Sequence, residues 1–291
     1  MNISIAMTYF NRGEQLERTL KSLEFFRENI TEVVIVDDGS DEPILENIDI
    51  DQFHYRIITY RIPPAKKTYL NCCVPFNLAL RQCVGDAVII QNAECYHAAD
   101  ILSYVQHNLK PNKYLSFASY SLGSHNTKFL PDFFNFSKEE FLNFNKKFMS
   151  KLPQRSADGF GDENTWYNHP AYRPCDLHFT TAIMNEDLQD LNYFDERYAQ
   201  CVAFDDNEFL RRIERKGMEI ERVSDPWSFH QKHLSTNYYR GQMCEELYRE
   251  MTLKETGWRV ENLAPFFIDD ADYDESALNV PGRGEGLDTG I

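Results

Sequence analysis

The chain has 291 residues, of which 42% are hydrophobic and 14% aromatic, enough for the core of one large domain or two small ones. Its mean hydropathy is -0.53, and no stretch approaches the roughly 20 apolar residues that a membrane helix needs. The formal net charge of -16 makes nucleic acid and anionic lipid poor partners, because such a surface repels both.

The first residues and the cysteines bear on the cellular compartment. The N-terminus carries neither the basic region nor the apolar run of a signal peptide, and it enters directly into a strand pattern. The seven cysteines are scattered and form no C-x-x-C pair. We therefore expect a cytoplasmic protein without an integral membrane segment, with mostly buried thiols rather than a disulfide framework or a zinc knuckle.

Strand and helix patterns alternate over the first 120 residues. An amphipathic helix with leucines at helical spacing from Leu16 to Leu23 lies between two apolar strands. The β-branched run of the second strand is typical of a strand buried on both faces. The predicted strands are residues 3–7, 32–36, 55–60, 87–90 and 114–120, and the predicted helices after the first are 74–83 and 98–108. This order predicts a doubly wound, mostly parallel α/β sheet with flanking helices.

The second half of the chain is less regular. Residues 156–173 combine Gly, Asp, Pro and aromatics, which indicates a long functional loop. Helices are predicted over residues 133–149, 205–216 and 238–256, and strands over 177–184 and 220–223. From residue 268 onward the chain is acidic and rich in glycine, which is typical of a mobile tail. We expect one domain over residues 1–265, divided into a half over 1–120 and a half over 121–265, followed by a flexible tail over 266–291.

Polar residues follow three of the predicted strands directly, at residues 8–12, 37–40 and 92–94. Ligands of doubly wound sheets bind at the carboxyl ends of the strands, near a switch in strand order. The three loops therefore indicate a single crevice.

Several segments, in this order, resemble the opening and the later motifs of inverting family 2 glycosyltransferases with the GT-A fold. They are residues 5–12, 35–40, 77–80, 85–90, 194–196 and 205–210, and the resemblance ends near His230 and His233. It spans about residues 3–235. The resemblance implies a nucleotide-sugar donor, usually a UDP-sugar, a glycan or other hydroxyl acceptor, and a GT-A fold whose first half binds the donor and whose second half forms a smaller acceptor-side subregion.

The donor side is expected at the first three loops. A carboxylate can accept the uracil N3–H in a charge-assisted hydrogen bond, and Asp38, with Asp37 beside it, is the predicted acceptor. The alternative is that both are ordinary turn residues after a strand. Arg12 is expected either to pair with the diphosphate or to be a solvated loop arginine. The other predicted donor-side residues are Thr8, Tyr9, Asn11, Asn77, Asn92 and Ala93, whereas Lys66 and Lys67 are interpreted as solvated charges.

The resemblance implies a divalent cation, but the family's metal-binding motif is altered in this sequence. The family's Asp-x-Asp is replaced by Asn92-Ala93-Glu94. The amide can still bind a ribose hydroxyl, and Glu94 keeps an oxygen ligand for Mn²⁺ or Mg²⁺. A late histidine, His230 or His233, is the predicted second ligand, and a surface or core position remains the alternative for each.

The acceptor side is expected at Asp205 and Asp206. An inverting transfer needs a base for the acceptor hydroxyl, which the resemblance assigns to Asp206 with Asp205 as its neighbour. Capping of the helix that begins here is the alternative. Trp166 and Tyr167 form either a platform for the acceptor or part of the core. His178 is predicted to lie close to the donor sugar on the acceptor side.

Two rival functions are weighed against the transferase. A sugar nucleotidyltransferase needs a Gly-rich loop after the first strand, and residues 7–13 contain one glycine. A catalytically inactive nucleotide-sugar-binding protein on the same scaffold is the other alternative, because the first carboxylate of the metal motif is missing.

Overall fold

The structure is a computed structural model that describes residues 1–130, 135–159, 163–233, 242–261 and 274–279. Within these residues the strands, in chain order, are β1 Ile3–Tyr9, β2 Glu32–Asp37, β3 Ile57–Arg61, β4 Ala87–Asn92, β5 Cys95–His97, β6 Lys113–Ser121, β7 Thr165–Asn168, β8 Thr180–Met184, β9 Cys201–Val202, β10 Glu219–His230, β11 Gln242–Met243 and β12 Asp274–Asn279. The helices are α1 Gly13–Leu23, α2 Cys73–Gln82, α3 Ile101–Asn108, α4 Lys138–Met149, α5 Asn185–Leu191, α6 Asp205–Lys216 and α7 Glu245–Lys254, with single turns at Ile44–Asn47 and Ser124–Thr127.

Ten of the described strands form one sheet in the order β12-β3-β2-β1-β4-β8-β6-β10-β5, with β7 paired to β6. Strand β1 lies between β2 and β4 and is parallel to both, in a register that places Thr8 beside Asn92 and Tyr9 beside Asp37. Strand β8 runs antiparallel between β4 and β6. Because β10 is parallel to β6, the carboxyl ends of β1, β2, β4 and β10 and the segment before β8 lie at one edge.

Helices cover both faces of the sheet, so the fold has three layers. Alternate residues of β1 and β2 pack with α1, α3 and α4 on one face, for example Ile5 with Leu16 and Phe141 in one apolar cluster. The opposite face packs against α2, α5 and α6 through residues such as Phe76 and Phe209. Each of these fully buried side chains contributes about 1.5–3 kcal/mol of transfer free energy, which makes the sheet a rigid frame for its loops.

The predicted α/β fold with flanking helices is confirmed. The sheet is mixed rather than mostly parallel, because β8 runs antiparallel to both of its neighbours and β5, β7 and β12 also pair antiparallel. Further differences lie in the second half. The long loop predicted over residues 156–173 contains β7, and the strand predicted over 220–223 extends over β10. Helix α4 begins at Lys138 because Ser137 and Glu140 form a capping box there. The helix predicted over 238–256 is α7, and residues 238–241 lie outside the described residues. Most of the predicted tail also lies outside them, but β12 pairs antiparallel with β3.

Two cysteines contradict the expectation of free thiols. Cys201 and Cys244 form a disulfide with their Cα atoms 5.5 Å apart, because β9 and β11 pair in a separate two-stranded sheet. The remaining cysteines are free: Cys72, Cys73, Cys83, Cys95 and Cys175. None of the helices in the described ranges has the length and apolar character needed to cross a membrane.

Candidate active-site cleft

The turn after β2 is held by its own polar groups. Asp37 is 2% exposed, and its Oδ1 accepts a hydrogen bond from the Ser40 backbone N–H at 2.8 Å. Gly39 has a φ of +73°, and a Cβ there would lie 3.3 Å from the Ile62 carbonyl oxygen. This turn therefore needs glycine. Asp37 therefore shapes the turn through Oδ1, while its Oδ2 makes no hydrogen bond within the described residues.

Asp38 lies in a buried polar cluster. Its Oδ1 accepts a hydrogen bond from the Tyr69 hydroxyl at 2.6 Å, and its Oδ2 accepts one from the Lys67 ammonium at 2.7 Å. Burial raises the pKa of the Asp38 carboxyl, and Lys67 and Tyr69 oppose that effect. The interpretation of Lys67 as a solvated charge is wrong: it binds Asp38 and lies 4.0 Å from the centroid of the Phe10 ring. The spacing between Lys67 and Asp38 gives no periodic signal, so this partner was missed.

Asn11 ties the loop after β1 to the loop after β2. Its Oδ1 accepts from the Asp41 N–H at 2.9 Å, and its own backbone N–H donates to the Ser40 hydroxyl at 3.0 Å. Its φ of 51° is a left-handed conformation that asparagine tolerates better than most residues. Tyr9 is buried, with its hydroxyl donating to the Glu42 carbonyl at 3.1 Å. Asn11 and Tyr9, both predicted to bind the nucleotide-sugar donor, therefore stabilise the loops after β1 and β2 through hydrogen bonds within the protein.

A second cluster surrounds Glu94, which lies in the turn between β4 and β5. Its Oε1 accepts a hydrogen bond from the Arg12 guanidinium at 2.7 Å and lies 3.3 Å from His230 Nε2 and 3.4 Å from His233 Nε2. Both histidines are thus close to Glu94, where the sequence left the choice between them open. Arg12 is the counter-ion of Glu94, with its side chain 21% exposed.

The chemistry of this cluster fits a divalent cation. Burial would raise the pKa of the Glu94 carboxyl, but Arg12 and the two imidazoles outweigh it and hold that pKa well below its ordinary value. Among the described residues, Oε2 of Glu94 is buried without a hydrogen-bond partner. One ligand atom from each of Glu94, His230 and His233 lies within 4.8 Å of the other two. A carboxylate with two imidazoles is a donor set suited to Mn²⁺.

A third cluster forms where α6 begins. Asp205 is 5% exposed, and its Oδ1 accepts a hydrogen bond from the Asn71 side-chain amide at 3.0 Å. The side chain of Asp206 is 24% exposed, and its Oδ1 lies 2.5 Å from Nδ1 of the buried His178. Burial, together with the charge of Asp206, raises the pKa of the Asp205 carboxyl. Burial lowers the pKa of His178, but the two aspartates outweigh it and raise that pKa.

The backbone before these aspartates is strained. Ala203 and Phe204 have φ angles of 67° and 72°, in the left-handed region that non-glycine residues adopt at a cost of about 1–2 kcal/mol each. The N-cap residue of α6 is Phe204, which makes no side-chain cap hydrogen bond, and Asp205 and Asp206 lie in the first turn of the helix. Strain of this kind concentrates at functional sites, where the surrounding structure compensates it.

The other predicted residues divide between the cleft and the core. Thr8 and Asn92 are paired at the ends of β1 and β4, and Ala93 is buried beside Glu94. Asn77, predicted to bind the donor, is wholly buried: its amide nitrogen donates to the Phe194 carbonyl at 2.9 Å and to Glu196 at 2.8 Å, and its oxygen accepts from the Phe194 N–H at 2.8 Å. Its role is to hold α2 against the segment before α6, so the prediction of donor binding is corrected.

The two aromatics predicted as an acceptor platform are both buried in β7. Trp166 is 3% exposed, packs edge-to-face on Tyr120 at 4.9 Å and donates to Gln154 at 3.0 Å. It belongs to the core, so the open platform is wrong for Trp166. Tyr167 is 4% exposed, but its ring centroid lies 5.2 Å from that of His230. Tyr167 therefore packs against His230 of the Glu94 cluster.

Cys72 lies between the three clusters. Burial is the main reason that the pKa of its thiol is raised well above its ordinary value. Asp205, Asp206 and Asp38 raise that pKa further, and Arg12 opposes them. Groups from all three clusters therefore lie near this one side chain, at the edge of the sheet where β1, β2 and β4 end, and this region is the candidate cleft. Nothing in the spacing of Cys72 singled it out.

The model of glycosyl transferase family 2 matches residues 4–174. The chain belongs to this family. The matched span contains Asp38 and Glu94, whereas Asp205, Asp206, His230 and His233 lie beyond it. No protein of curated function matches the chain significantly.

Solved structures of similar fold are glycosyltransferases with the GT-A fold, as expected for family 2. One is residues 1–349 of TarS from S. aureus in complex with UDP-GlcNAc, with a TM-score of 0.53 and 15% identity over 86% of this chain and 64% of TarS 1–349. The same protein in complex with UDP has a TM-score of 0.51 and 16% identity over 80% of this chain and 61% of that one. A mannosyltransferase from Pyrobaculum calidifontis, PcManGT, in complex with GDP-Man and Mn²⁺, has a TM-score of 0.48 and 16% identity over 86% of this chain and 61% of that one. The chain thus spans less than two thirds of the length of these proteins.

Proposed function

We propose that this family 2 protein is an inverting glycosyltransferase. It transfers a sugar from a nucleotide-sugar donor, of the UDP-sugar class, to a hydroxyl group of a glycan or other acceptor. The observation that carries the proposal is the placement of three carboxylate clusters, at Asp38, Glu94 and Asp206, near one another at the edge of the sheet where β1, β2 and β4 end. Each cluster fits one requirement of the reaction: recognition of the nucleoside, neutralisation of the diphosphate, and removal of the acceptor proton.

Asp38 suits recognition of a uracil ring. A carboxylate has about four lone-pair sites, and Tyr69 and Lys67 each use one. The remaining sites can accept the N3–H of the base, and Tyr69 and Lys67 fix the direction of the carboxylate before the ligand arrives. The fold shared with TarS, which is solved with UDP and with UDP-GlcNAc, supports this donor class.

Glu94, His230 and His233 would hold the divalent cation. Bound there, Mn²⁺ or Mg²⁺ would neutralise charge on the departing diphosphate, so that the leaving group needs no proton. Arg12 now supplies the positive charge next to Glu94. A cation held by Glu94 would take over this neutralisation, and Arg12 would then be available to pair with the diphosphate, one of the two roles considered for it from the sequence.

Asp206 is the base in this proposal. Its partly exposed carboxylate can reach an acceptor hydroxyl, whereas Asp205 is buried and held by Asn71. His178 lies against Oδ1 of Asp206 and orients the carboxylate. The proton of the acceptor passes to Asp206 as the acceptor oxygen attacks the anomeric carbon, on the face opposite the departing diphosphate.

The test combines two substitutions with two measurements. Asp206→Asn should lower the rate of sugar transfer by about 10²–10⁴-fold while UDP binding is retained, because the amide cannot accept the proton. Glu94→Gln should weaken UDP binding in the presence of Mn²⁺ and leave the weaker metal-free binding unchanged. UDP-sugars are first ranked by thermal shift with and without Mn²⁺, since a ligand of the native state raises its stability.

The inactive binding protein is separated by the same experiment. If UDP binds but the full-length protein neither transfers nor hydrolyses any UDP-sugar, the chain is a binding protein and the proposal is wrong. Turnover that neither substitution changes would equally overturn the assignment of Asp206 and Glu94.

A further inference from the structure

A second group of metal-ligating side chains lies in the acceptor part of the cleft. Cys72 immediately precedes α2, His178 lies shortly before β8, and Asp205 begins α6. One ligand atom from each of the three lies within 4.8 Å of the other two. The group shares no residue with the Glu94 cluster, and nothing in the proposed transfer reaction uses its sulfur.

The distances suit a tetrahedral ion. Cys72 Sγ lies 3.9 Å from Asp205 Oδ2. A zinc ion with bonds of about 2.3 Å to sulfur and about 2.0 Å to oxygen places these atoms about 3.5 Å apart at the tetrahedral angle. This pair is therefore within a few tenths of an ångström of that separation, and the ligand atom of His178 lies within 4.8 Å of both.

The surroundings favour a ligand at these atoms. His178 and Asp205 are 5% exposed each. Nδ1 of His178 lies 2.5 Å from Oδ1 of Asp206, so a second carboxylate borders the same group of ligand atoms. Three protein ligands leave a fourth position for water, as in open zinc sites.

We propose that Cys72, His178 and Asp205 form a site for zinc, distinct from the Glu94 cluster. The sulfur donor selects Zn²⁺ over Mn²⁺ and Mg²⁺, because thiolates prefer the softer ion. Binding replaces the thiol proton with a Zn–S bond and releases that proton to solvent. Because a thiolate ligand must first lose its proton, zinc affinity should rise with pH.

Zinc at this site would inhibit sugar transfer, an effect that rests on the proposed function. The ion would engage the imidazole that orients Asp206 and would occupy the space in front of Asp205. The binding itself does not depend on that function, so the two can fail separately.

Cobalt(II) is the probe, because a cobalt–thiolate bond produces a charge-transfer band in the near ultraviolet that a carboxylate–histidine site does not. The full-length protein, with its disulfide intact, should develop the band with one equivalent of Co²⁺, and Zn²⁺ should bleach it. Cys72→Ser should abolish the band. Cys175→Ser, which removes another half-buried free thiol, and Glu94→Gln should both retain it.

No band in the wild-type protein, or a band that survives Cys72→Ser, overturns the site. If Cys72→Ser does not fold, His178→Ala replaces it as the test variant. His178→Ala should lower the affinity for cobalt by about tenfold or more. An unchanged cobalt affinity in this variant also overturns the site. Where transfer activity is found, Zn²⁺ should inhibit the wild-type protein and not Cys72→Ser, each compared with its own zinc-free rate. Cobalt binding without zinc inhibition keeps the site and removes only its effect on transfer.

Discussion

Asp205 and Asp206 are identical in chemistry and adjacent in sequence, yet their surroundings give them different properties. Asp205 is buried, with Asn71 and Cys72 as donors to its two oxygens. Asp206 is partly open and lies against an imidazole. Placing a second carboxylate beside a buried first one disfavours ionisation of the pair. The pair therefore costs stability at neutral pH, as functional groups commonly do.

Asp205→Asn should stabilise the protein at pH 7. The pKa of Asp205 is raised in the folded state, so the folded protein binds the Asp205 proton more tightly than the unfolded chain does. The stability that this proton contributes is lost as the pH rises through the folded pKa. The amide removes the charge that causes the loss. We expect a gain of about 1–2 kcal/mol, or roughly 2–4 °C in Tm per kcal/mol, by thermal unfolding at pH 7.

The pH dependence supplies the control for this prediction. Below pH 3.8, the ordinary pKa of an aspartate side chain, Asp205 is protonated in both states, so the two proteins should differ little. A variant that is less stable than the wild type at pH 7 and not at low pH would show that ionised Asp205 contributes favourable contacts.

At the scale of residues, the sequence indicates candidate side chains where they directly follow a strand. It does not indicate their partners where these are distant along the chain. Strand ends and motif order single out Asp38, Glu94 and Asp206, and the structure places each of them in a polar cluster. Lys67 binds Asp38 across 29 residues, and Cys72 meets Asp205 across 133. Such pairs depend on how the elements pack, which a pattern along one chain does not encode.

At the scale of elements, α6 carries both aspartates and is held by the hydrogen bonds of one buried arginine, Arg212, which we call the clamp. Arg212 is 1% exposed. Its guanidinium donates to Glu208 on its own helix and to the carbonyls of Leu191 and Tyr193, each at 2.7 Å. Planar guanidinium groups suit such multiple hydrogen bonds. The clamp joins α6 to the segment after α5 and so fixes the start of the helix that presents Asp206.

Arg212→Ala should destabilise the protein by about 3–5 kcal/mol, because it leaves Glu208 buried and unpaired along with two carbonyl groups. The adjacent Arg211→Ala is the matched control. The side chain of Arg211 is 49% exposed and binds Glu214, so its loss should change stability by about 0.5 kcal/mol or less. Denaturant unfolding of both variants measures the difference, and equal losses would show that the clamp does not stabilise α6.

The central elements were predictable because their patterns are continuous. The apolar runs of β1, β2 and β4 identify buried parallel strands, and the leucines of α1 identify its packed face. Strand β7 was hidden in a polar, aromatic segment, since short edge pairings give little alternation to detect. The buried role of Asn77 was hidden for a similar reason: its fold-holding contacts are with residues 194–196.

At the scale of the whole molecule, the sheet joins two halves through one reversed strand. Strand β8 connects the parallel donor-side strands to β6 and β10, so Glu94 from one side meets His230 and His233 from the other. The same frame holds a large excess of negative charge, with 46 Asp and Glu against 30 Lys and Arg. Mutual repulsion of this charge destabilises the compact state.

Raising NaCl at pH 7 should therefore raise the Tm, by roughly 2–4 °C between low and moderate ionic strength, as screening weakens that repulsion. The matched control is the same titration near pH 4.9, the isoelectric point calculated from the sequence. There the net charge vanishes and the salt effect should disappear. A Tm that falls with NaCl at pH 7 would show that surface ion pairs outweigh the repulsion.

The disulfide between Cys201 and Cys244 has a topological consequence. These residues are separated by 43 positions, and the covalent ring that they close contains Asp205, Asp206, His230 and His233. A peptide bond cut anywhere inside that ring leaves both fragments linked. Asp206 and the histidines beside Glu94 would thus stay tethered to one another in a nicked chain, until a reductant opens the ring.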